Sequence, residues 1–247
     1  MKKLRIASAL LTGFLWISCH FTEEIHLNED GSGSIALSFD GSQLLSLSDS
    51  ATVAQQPKRL DSVVRFSDVL DEKKDSIRKL PPQEQERLEK LRPYQMRMIT
   101  DHEAGEMRFI LSRKFRNISE VGDAFNAFQD AGALEPAKGE NTPMEPTDQV
   151  SQSTEVVYSL KGNTFSRRGI VVDSALHQQR IDSLKGSESF LEESTYKLEI
   201  HFPRRVRSAS VEDATLSMDG KTLFYEVAFL EYLLKPEVLD LEVILEE

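Results

Sequence analysis

Residues 195–203 (TYKLEIHFP) have the most regular pattern in the chain. Apolar side chains occupy alternate positions, at Tyr196, Leu198, Ile200 and Phe202, and polar or charged residues lie between them. A period of two is typical of a β-strand with one buried and one solvated face. Pro203 ends the pattern, because proline lacks the backbone N–H that a sheet requires. The segment therefore predicts a strand with a single face in the core.

Similar alternating segments come in pairs that are joined by turn residues. The first pair spans residues 21–40, around a turn at residues 28–33 (NEDGSG), with Glu23 on the same face as Phe21 and Ile25. Further pairs follow at residues 94–111, 154–172 and 213–228, and a last alternating run covers residues 239–246. Gly, Asn and Asp between two alternating runs indicate a β-hairpin. Each pair is therefore expected to form an antiparallel hairpin.

Helical spacing of apolar residues separates the hairpins. Residues 42–92 carry such a stripe, interrupted at Pro81-Pro82 and resumed at residues 83–91. Asn117 and Glu120 have the spacing of a capping box and predict a helix with a buried stripe that reaches Phe128. Further helices are predicted after Asp173 and at residues 229–234. One-faced strands and amphipathic helices together predict an α+β fold: antiparallel sheets built from hairpins, with the helices packed on one face.

The length of 247 residues suits one large or two small domains. Residues 133–152 are rich in proline, glycine and polar residues, which is typical of a linker or long surface loop. This segment would separate an N-terminal α+β region (residues 19–132) from a C-terminal α+β region (residues 153–247).

The first residues have the pattern of a cleaved leader. Lys2, Lys3 and Arg5 precede an apolar run at residues 6–17 (IASALLTGFLWI), and Ser18 precedes Cys19. The run is shorter than the roughly 20 residues that cross a bilayer, so residues 1–18 are predicted to be a signal peptide. The cysteine after a small residue resembles a bacterial lipoprotein signal, although Trp16 stands where that signal usually has leucine. The alternatives are an ordinary secreted protein and an uncleaved anchor.

The resemblance to a lipoprotein signal implies that Cys19 becomes the lipidated N-terminus, with fatty acyl chains such as palmitate. Several acyl chains on one residue would hold the protein at a membrane without a spanning helix. No Asp follows Cys19 directly, so the retention signal of the inner membrane is absent. By resemblance, we expect the protein to be located in the cell envelope, at the outer membrane, on either its periplasmic or its surface face.

Composition and motifs argue against several functional classes. The net charge of −11 disfavours nucleic acid as a partner. The single cysteine excludes an internal disulfide framework and a thiolate-rich metal cage. The sequence lacks a nucleophile elbow, a phosphate-binding loop and a dinucleotide fingerprint. We therefore predict no enzymatic activity, no catalytic residue and no cofactor.

The sequence also predicts no metal site. The five histidines include no pair at the i, i+4 spacing of a helical metal motif. His26 and His201 fall on the polar faces of predicted strands, where exposed histidines are favoured over metal ligands. Residues 28–33 partly resemble a calcium loop, but His26 and Leu37 would occupy ligand positions that require oxygen. A hairpin turn is the favoured interpretation.

A cluster of arginines runs against the overall charge. The residues are Arg204, Arg205 and Arg207 after one strand, and Arg167 and Arg168 on an earlier one. Guanidinium groups bind phosphate and carboxylate through paired hydrogen bonds. The cluster could therefore hold an anionic ligand, and the alternative is a solvated turn in which the arginines neutralise neighbouring acids.

Three segments resemble known lipoproteins: Cys19, residues 22–33 (TEEIHLNEDGSG) and residues 196–246. With these, the chain is similar to uncharacterised lipoproteins of Bacteroidetes-type bacteria. Residues 196–203, the turn at residues 219–221 and the last strand are also similar, more distantly, to the LppM-type lipoprotein domain. That resemblance implies an α+β fold with a hydrophobic cavity for lipids or glycolipids, and it implies no catalytic residue.

The sequence thus predicts a lipid-anchored cell-envelope protein without enzymatic activity. One hypothesis is that it binds an apolar or amphipathic, lipid-like ligand between sheet and helices, near Met96, Met98, Met107 and Phe109. The alternative is a structural or interaction lipoprotein, an accessory subunit of an envelope complex. The expected partners are the membrane, through the N-terminal lipid, and either a lipid or an envelope protein.

Overall fold

The computed structural model describes residues 20–45, 59–132, 152–186 and 188–247. The strands, numbered along the chain, are β1 (His20–Leu27), β2 (Gly33–Asp40), β3 (Arg59–Arg65), β4 (Gln95–Asp101), β5 (Glu106–Phe115), β6 (Thr154–Lys161), β7 (Thr164–Val171), β8 (Thr195–His201), β9 (Val206–Ala209), β10 (Thr215–Leu216), β11 (Thr222–Ala228) and β12 (Leu241–Leu245). The helices are α1 (Ser42–Leu45), α2 (Phe66–Glu72), α3 (Lys74–Ile77), α4 (Pro82–Glu89), α5 (Ala124–Asp130), α6 (Ser174–Ser183), α7 (Glu188–Leu191) and α8 (Phe229–Leu234). Two 3₁₀ turns lie at Ile118–Glu120 and Pro236–Leu239.

The strands form two sheets. The large sheet has eight strands in the order β10-β11-β8-β1-β2-β5-β4-β3, and the small sheet has four in the order β6-β7-β12-β9. The predicted signal peptide, Cys19 and residues 133–151 lie outside the described residues. Within the described ranges, no helix combines the length and the apolar character that crossing a bilayer requires.

The predicted hairpins are confirmed. Antiparallel pairing joins β1 to β2, β4 to β5, β6 to β7 and β10 to β11. In β8, the inward side chains of Tyr196, Leu198 and Ile200 are buried, and the side chains between them are partly exposed. The α+β fold of mainly antiparallel sheets with helices packed against one face is therefore confirmed.

One pairing in the large sheet is parallel and was not predicted. Strand β1 lies beside β8 in register, with Phe21 opposite Tyr196 and Ile25 opposite Ile200. Strands from both sides of residues 133–152 thus belong to one sheet, and one buried cluster contains side chains from both regions. The N-terminal and C-terminal α+β regions share a sheet and a core.

The prediction of a helix over residues 59–65 is wrong. These residues form β3, the edge strand of the large sheet, which pairs with β4 from Arg59 opposite Asp101 to Arg65 opposite Gln95. The adjacent β-branched residues Val63 and Val64 favour a strand, and the helix begins only at Phe66. The charged helix predicted at residues 83–91 is confirmed as α4.

The prediction that a capping box at Asn117 begins a helix is also wrong. Asn117 accepts a hydrogen bond from the Ser119 amide and so caps a single 3₁₀ turn. The helix itself is α5, which begins at Ala124, and its cap is Asp123, which accepts a hydrogen bond from the Asn126 amide at 2.9 Å. Ile118 and Phe128 are nevertheless fully buried, so the predicted apolar stripe is correct, although the helix begins later in the chain than predicted.

Aromatic side chains fill the space between the large sheet and helices α5 and α8. The ring of Phe21 lies 4.5 Å from that of Phe229 and 5.4 Å from that of Phe125, measured between centroids. Tyr196 and Tyr232 are 4.5 Å apart by the same measure. Pairs at these separations add to the stability that burial provides.

Candidate functional site

A charged cluster lies in the interior, where the inner faces of the two sheets meet. Glu23 on β1 has 1% of its surface exposed, and Arg167 on β7 has none. Arg167 Nε lies 3.4 Å from Glu23 Oε1, and Nη2 lies 3.5 Å from Oε2. The guanidinium also donates to the Leu239 carbonyl at 3.3 Å. The ion pair therefore links the large sheet to the small one.

Two tyrosines complete the hydrogen bonding of this carboxylate. The Tyr158 hydroxyl donates to Glu23 Oε1 at 2.5 Å, and the Tyr196 hydroxyl donates to Oε2 at 2.7 Å. Burial, and then the negative charge of Glu23, raise the pKa of both hydroxyls well above the usual value. The tyrosines are therefore permanent donors. A buried charge is tolerated only when it is paired and hydrogen-bonded in this way.

The arginine of this pair remains positively charged. Burial is the largest single effect and alone would lower the pKa of the Arg167 guanidinium, but the charge of Glu23 and the interactions with the neighbouring tyrosines together raise the pKa well above its usual value. Every polar member of the cluster is closed off from solvent. Strongly perturbed groups often mark a functional site, but these groups meet no solvent, and their arrangement supports a structural role.

The arginines that the sequence grouped as an anion site are placed apart. Arg167 is inside, so it is not available to an anion in solvent, whereas Arg168 points outward from the same strand. Arg204 is bound to Glu29 at 3.2 Å and to Asn163 Oδ1 at 3.0 Å. The anion site at Arg204, Arg205, Arg207 and Arg168 stays a prediction, without Arg167.

Arg204 and Arg205 also hold the C-terminus of the chain. Arg204 donates to the Glu246 carbonyl at 3.1 Å, and Arg205 Nε lies 3.9 Å from the Glu246 carboxylate. Both arginines therefore have acidic or carbonyl partners, as the solvated-turn alternative expects. Arg207 is exposed on β9.

The turn at residues 28–33 is a hairpin turn. The Asp30 carboxylate accepts hydrogen bonds from the Ser32 hydroxyl at 2.6 Å and from the Ser32 amide at 3.0 Å. These bonds lower the pKa of the exposed Asp30 carboxyl. The side chain is thus turned toward its own loop, as in a local Asx-type turn.

The outer face of the large sheet carries a shallow groove. Its volume is about 320 Å³, and its walls include His20, Glu24, Asp40 and Arg108. These residues come from β1, β2 and β5, and charges of both signs face the groove. His20 is the first described residue and directly follows Cys19, so the groove lies at the end of the domain where the predicted lipid would be attached.

Beside this groove, the structure brings together histidines that the sequence treated separately. His26 and His201 are direct partners in the β1–β8 pair, and their rings are stacked with centroids 4.0 Å apart. The prediction that both lie on polar strand faces is correct. Their contact escaped sequence reasoning because it depends on a parallel pairing between distant segments.

Comparison with known proteins gives one remote likeness. No model of a protein family matches the chain, and no curated protein matches its sequence. The chain is similar to the NMR structure of the folded domain of the Mycobacterium tuberculosis LppM protein, at 10% sequence identity and a TM-score of 0.39. The match covers 92% of this chain and 89% of that one.

This is the type of domain that residues 196–203 and the turn at residues 219–221 resemble. The relation to Bacteroidetes-type lipoproteins stays a prediction.

Proposed function

We propose that this chain is a lipid-anchored protein of the cell envelope, at the outer membrane, that acts by binding and not by catalysis. The proposal rests on the position of the predicted lipidation site directly before the first strand of the large sheet. The predicted lipidation site is Cys19, and β1 begins at the next residue, His20. His20 is already paired with Asp40 of β2 and Thr195 of β8.

This arrangement supports an anchor without a linker. A strand that is fixed on both sides from its first residue leaves no flexible spacer between the acyl chains and the sheet. The end of the large sheet that contains His20 would then face the headgroups. Several acyl chains on Cys19 would hold such a domain firmly.

The interior supports a role that does not depend on a ligand held in the core. Between the sheet and helices α5 and α8, the side chains of Phe21, Phe125 and Phe229 contact one another. Met96 is buried as well, and Met98 and Phe109 pack against the same core. A lipid chain in this space would have to displace these contacts, each of which contributes to stability. We therefore favour an interaction or structural lipoprotein over a carrier of an apolar ligand.

Two measurements on the native product test the anchor. Cells are labelled with an alkyne analogue of palmitate, and the N-terminal peptide is analysed by mass spectrometry. We expect cleavage after Ser18 and acyl chains on Cys19, and we expect Cys19→Ser to remove the label. Ser18→Ala keeps a small residue before the cut and should be processed normally. A bare Cys19 thiol in the native product, or a retained leader, overturns the anchor.

Native mass spectrometry of Cys19→Ser protein from a lipid-containing host separates the two binding hypotheses. A lipid that co-purifies at a 1:1 ratio would favour the carrier. Lipid-free protein from repeated preparations would favour the interaction role.

A further inference from the structure

We propose that Glu24, His26, Glu199 and His201 form a binding site for a divalent transition-metal ion of the Zn²⁺ type on the outer face of the large sheet. Strand β1 supplies Glu24 and His26, and β8 supplies the other two residues. The sequence predicted no metal site, because no two of these residues belong to a recognised spacing motif.

The parallel register assembles the four side chains. His26 lies opposite His201, and Glu24 lies opposite Glu199. Residues two apart on a strand point to the same face. Each strand therefore contributes one carboxylate and one imidazole to the same patch of the outer face.

The donor atoms are already close enough to share an ion. His26 Nε2 lies 2.7 Å from Glu24 Oε1, and His201 Nε2 lies 3.5 Å from the same oxygen. His201 Nε2 is also 3.3 Å from Glu199 Oε1. The donor atoms of Glu24, His26 and His201 all lie within 4.8 Å of one another. Zn²⁺ binds nitrogen and oxygen at about 2.0–2.2 Å, so its tetrahedral ligands are about 3.3 Å apart.

One of the imidazoles is oriented as a metal ligand usually is. His201 Nδ1 is 3.1 Å from the Thr222 hydroxyl, which fixes the ring and leaves Nε2 facing the carboxylates. In metal sites, a hydrogen bond at the ring nitrogen that does not bind the metal commonly orients the ligating histidine. His201 Nε2 is buried, and within the described residues it forms no hydrogen bond of acceptable geometry. A bound ion would satisfy this nitrogen.

The other imidazole can complete the site by a small rotation. The two rings are nearly parallel, with 2° between their planes, so their Nε2 lone pairs do not yet converge. The side chain of His26 is 50% exposed, and rotation about its Cβ–Cγ bond is soft. Lys197 holds the other Glu199 oxygen at 2.9 Å, so Glu199 offers Oε1 only. The side chains of His26 and Glu24 are 50% and 43% exposed, so water can fill the remaining coordination positions of a bound ion.

The donor set indicates the class of ion. Two imidazoles and one or two carboxylates suit Zn²⁺ and neighbouring transition metals, whereas Mg²⁺ and Ca²⁺ prefer oxygen ligands alone. A bound ion would also tie β1 to β8, which are distant in sequence and adjacent in the sheet.

The test uses the full chain, purified in detergent without a histidine tag and treated with a chelator. Titration calorimetry with ZnCl₂ should give one site per chain. His26→Gln and His201→Gln should each weaken binding by at least about 10-fold, whereas His102→Gln, in the turn between β4 and β5, should bind as the native chain does. Zinc at about 100 times the dissociation constant should raise the native Tm by about 5–10 °C.

A second test of the metal site uses the native chain and needs no variant. In NMR spectra of the five histidines, Zn²⁺ should shift the imidazole signals of His26 and His201, and equal Mg²⁺ should leave them in place. Absence of Zn²⁺ binding, equal affinity in His201→Gln and the native chain, or zinc-induced shifts at other histidines only would each overturn the proposal.

Discussion

Glu23 and Arg167 form an ion pair that is closed off from solvent, although they lie 144 positions apart in the chain. Glu23 belongs to the large sheet, and Arg167 belongs to the small one. Two tyrosine hydroxyls and the Leu239 carbonyl satisfy the remaining polar atoms around them. The pair therefore restricts how the two sheets can pack, since any other packing would leave a charge unpaired in the core.

Removing one partner of this pair is expected to destabilise the protein strongly. Arg167→Met leaves the Glu23 carboxylate buried without a cation, and the loss in the free energy of unfolding should be about 3–5 kcal/mol. Glu23→Gln leaves Arg167 buried without an anion and should cost a similar amount. The double variant should lose clearly less than the sum, because neither charge is then left alone. Urea unfolding of the three variants measures these differences.

The neighbouring Arg168 provides the matched control. It lies on the same strand but points outward, so Arg168→Met should change the free energy of unfolding by less than about 0.5 kcal/mol. Additive losses in the double variant, or equal losses for Arg167→Met and Arg168→Met, would show that the buried pair has no special role.

The pH dependence of stability should contain a contribution from Asp123. Burial raises the pKa of the Asp123 carboxyl from 3.8 to about 6, and Oδ2 forms no hydrogen bond within the described residues. The folded protein therefore holds this proton between pH 4 and 6, whereas the unfolded chain has released it. Stability from this group is complete below about pH 4 and is lost as the pH rises through about 6.

Asp123→Asn isolates this contribution. Asparagine can still cap α5 but does not ionise. The free energy of unfolding of the variant, relative to the native chain, should rise by about 2 kcal/mol between pH 4 and 7 and then level off. Asp173→Asn is the control, because Asp173 caps α6 in the same way but is exposed. A relative stability that falls with pH, or that changes equally for both variants, would contradict the assignment.

The hairpins were predictable because the residues that determine each one, the turn and the two flanking alternating runs, are adjacent in the sequence. In β6–β7, the turn residues Lys161, Gly162 and Asn163 lie directly between two alternating runs. The same holds for β1–β2, where residues 28–33 form the turn. In such cases a few adjacent residues determine the pairing, the register and the face that becomes buried.

The pairings that carry the candidate sites depend on distant segments. The sequence pattern places Glu23 on an apolar face, but it groups the partner Arg167 with arginines predicted at the surface. His26 and His201 were recognised as exposed strand residues, but nothing in their own segments indicates that β1 and β8 are neighbours. Parallel strands need a long crossover, so a single sequence gives no local signal for such contacts. The edge strand β3 was missed for a different reason: its apolar residues also fit helical spacing.

The start of β2 should be intolerant of a single added methyl group. A Cβ on Gly33 would lie 1.9 Å from the His26 carbonyl oxygen and 2.7 Å from Phe115 Cζ. The carbonyl belongs to the backbone of β1, so the strand itself must move and the hairpin pairing must weaken. Gly33→Ala is therefore expected to lower the free energy of unfolding by about 2–3 kcal/mol.

Gly122→Ala is the matched control, because a Cβ there meets no atom within 4 Å, and its loss in the free energy of unfolding should stay below about 0.5 kcal/mol. Urea midpoints of the two variants, compared at equal m-values, check the difference, and coincident midpoints would mean that β1 and β2 can separate without loss.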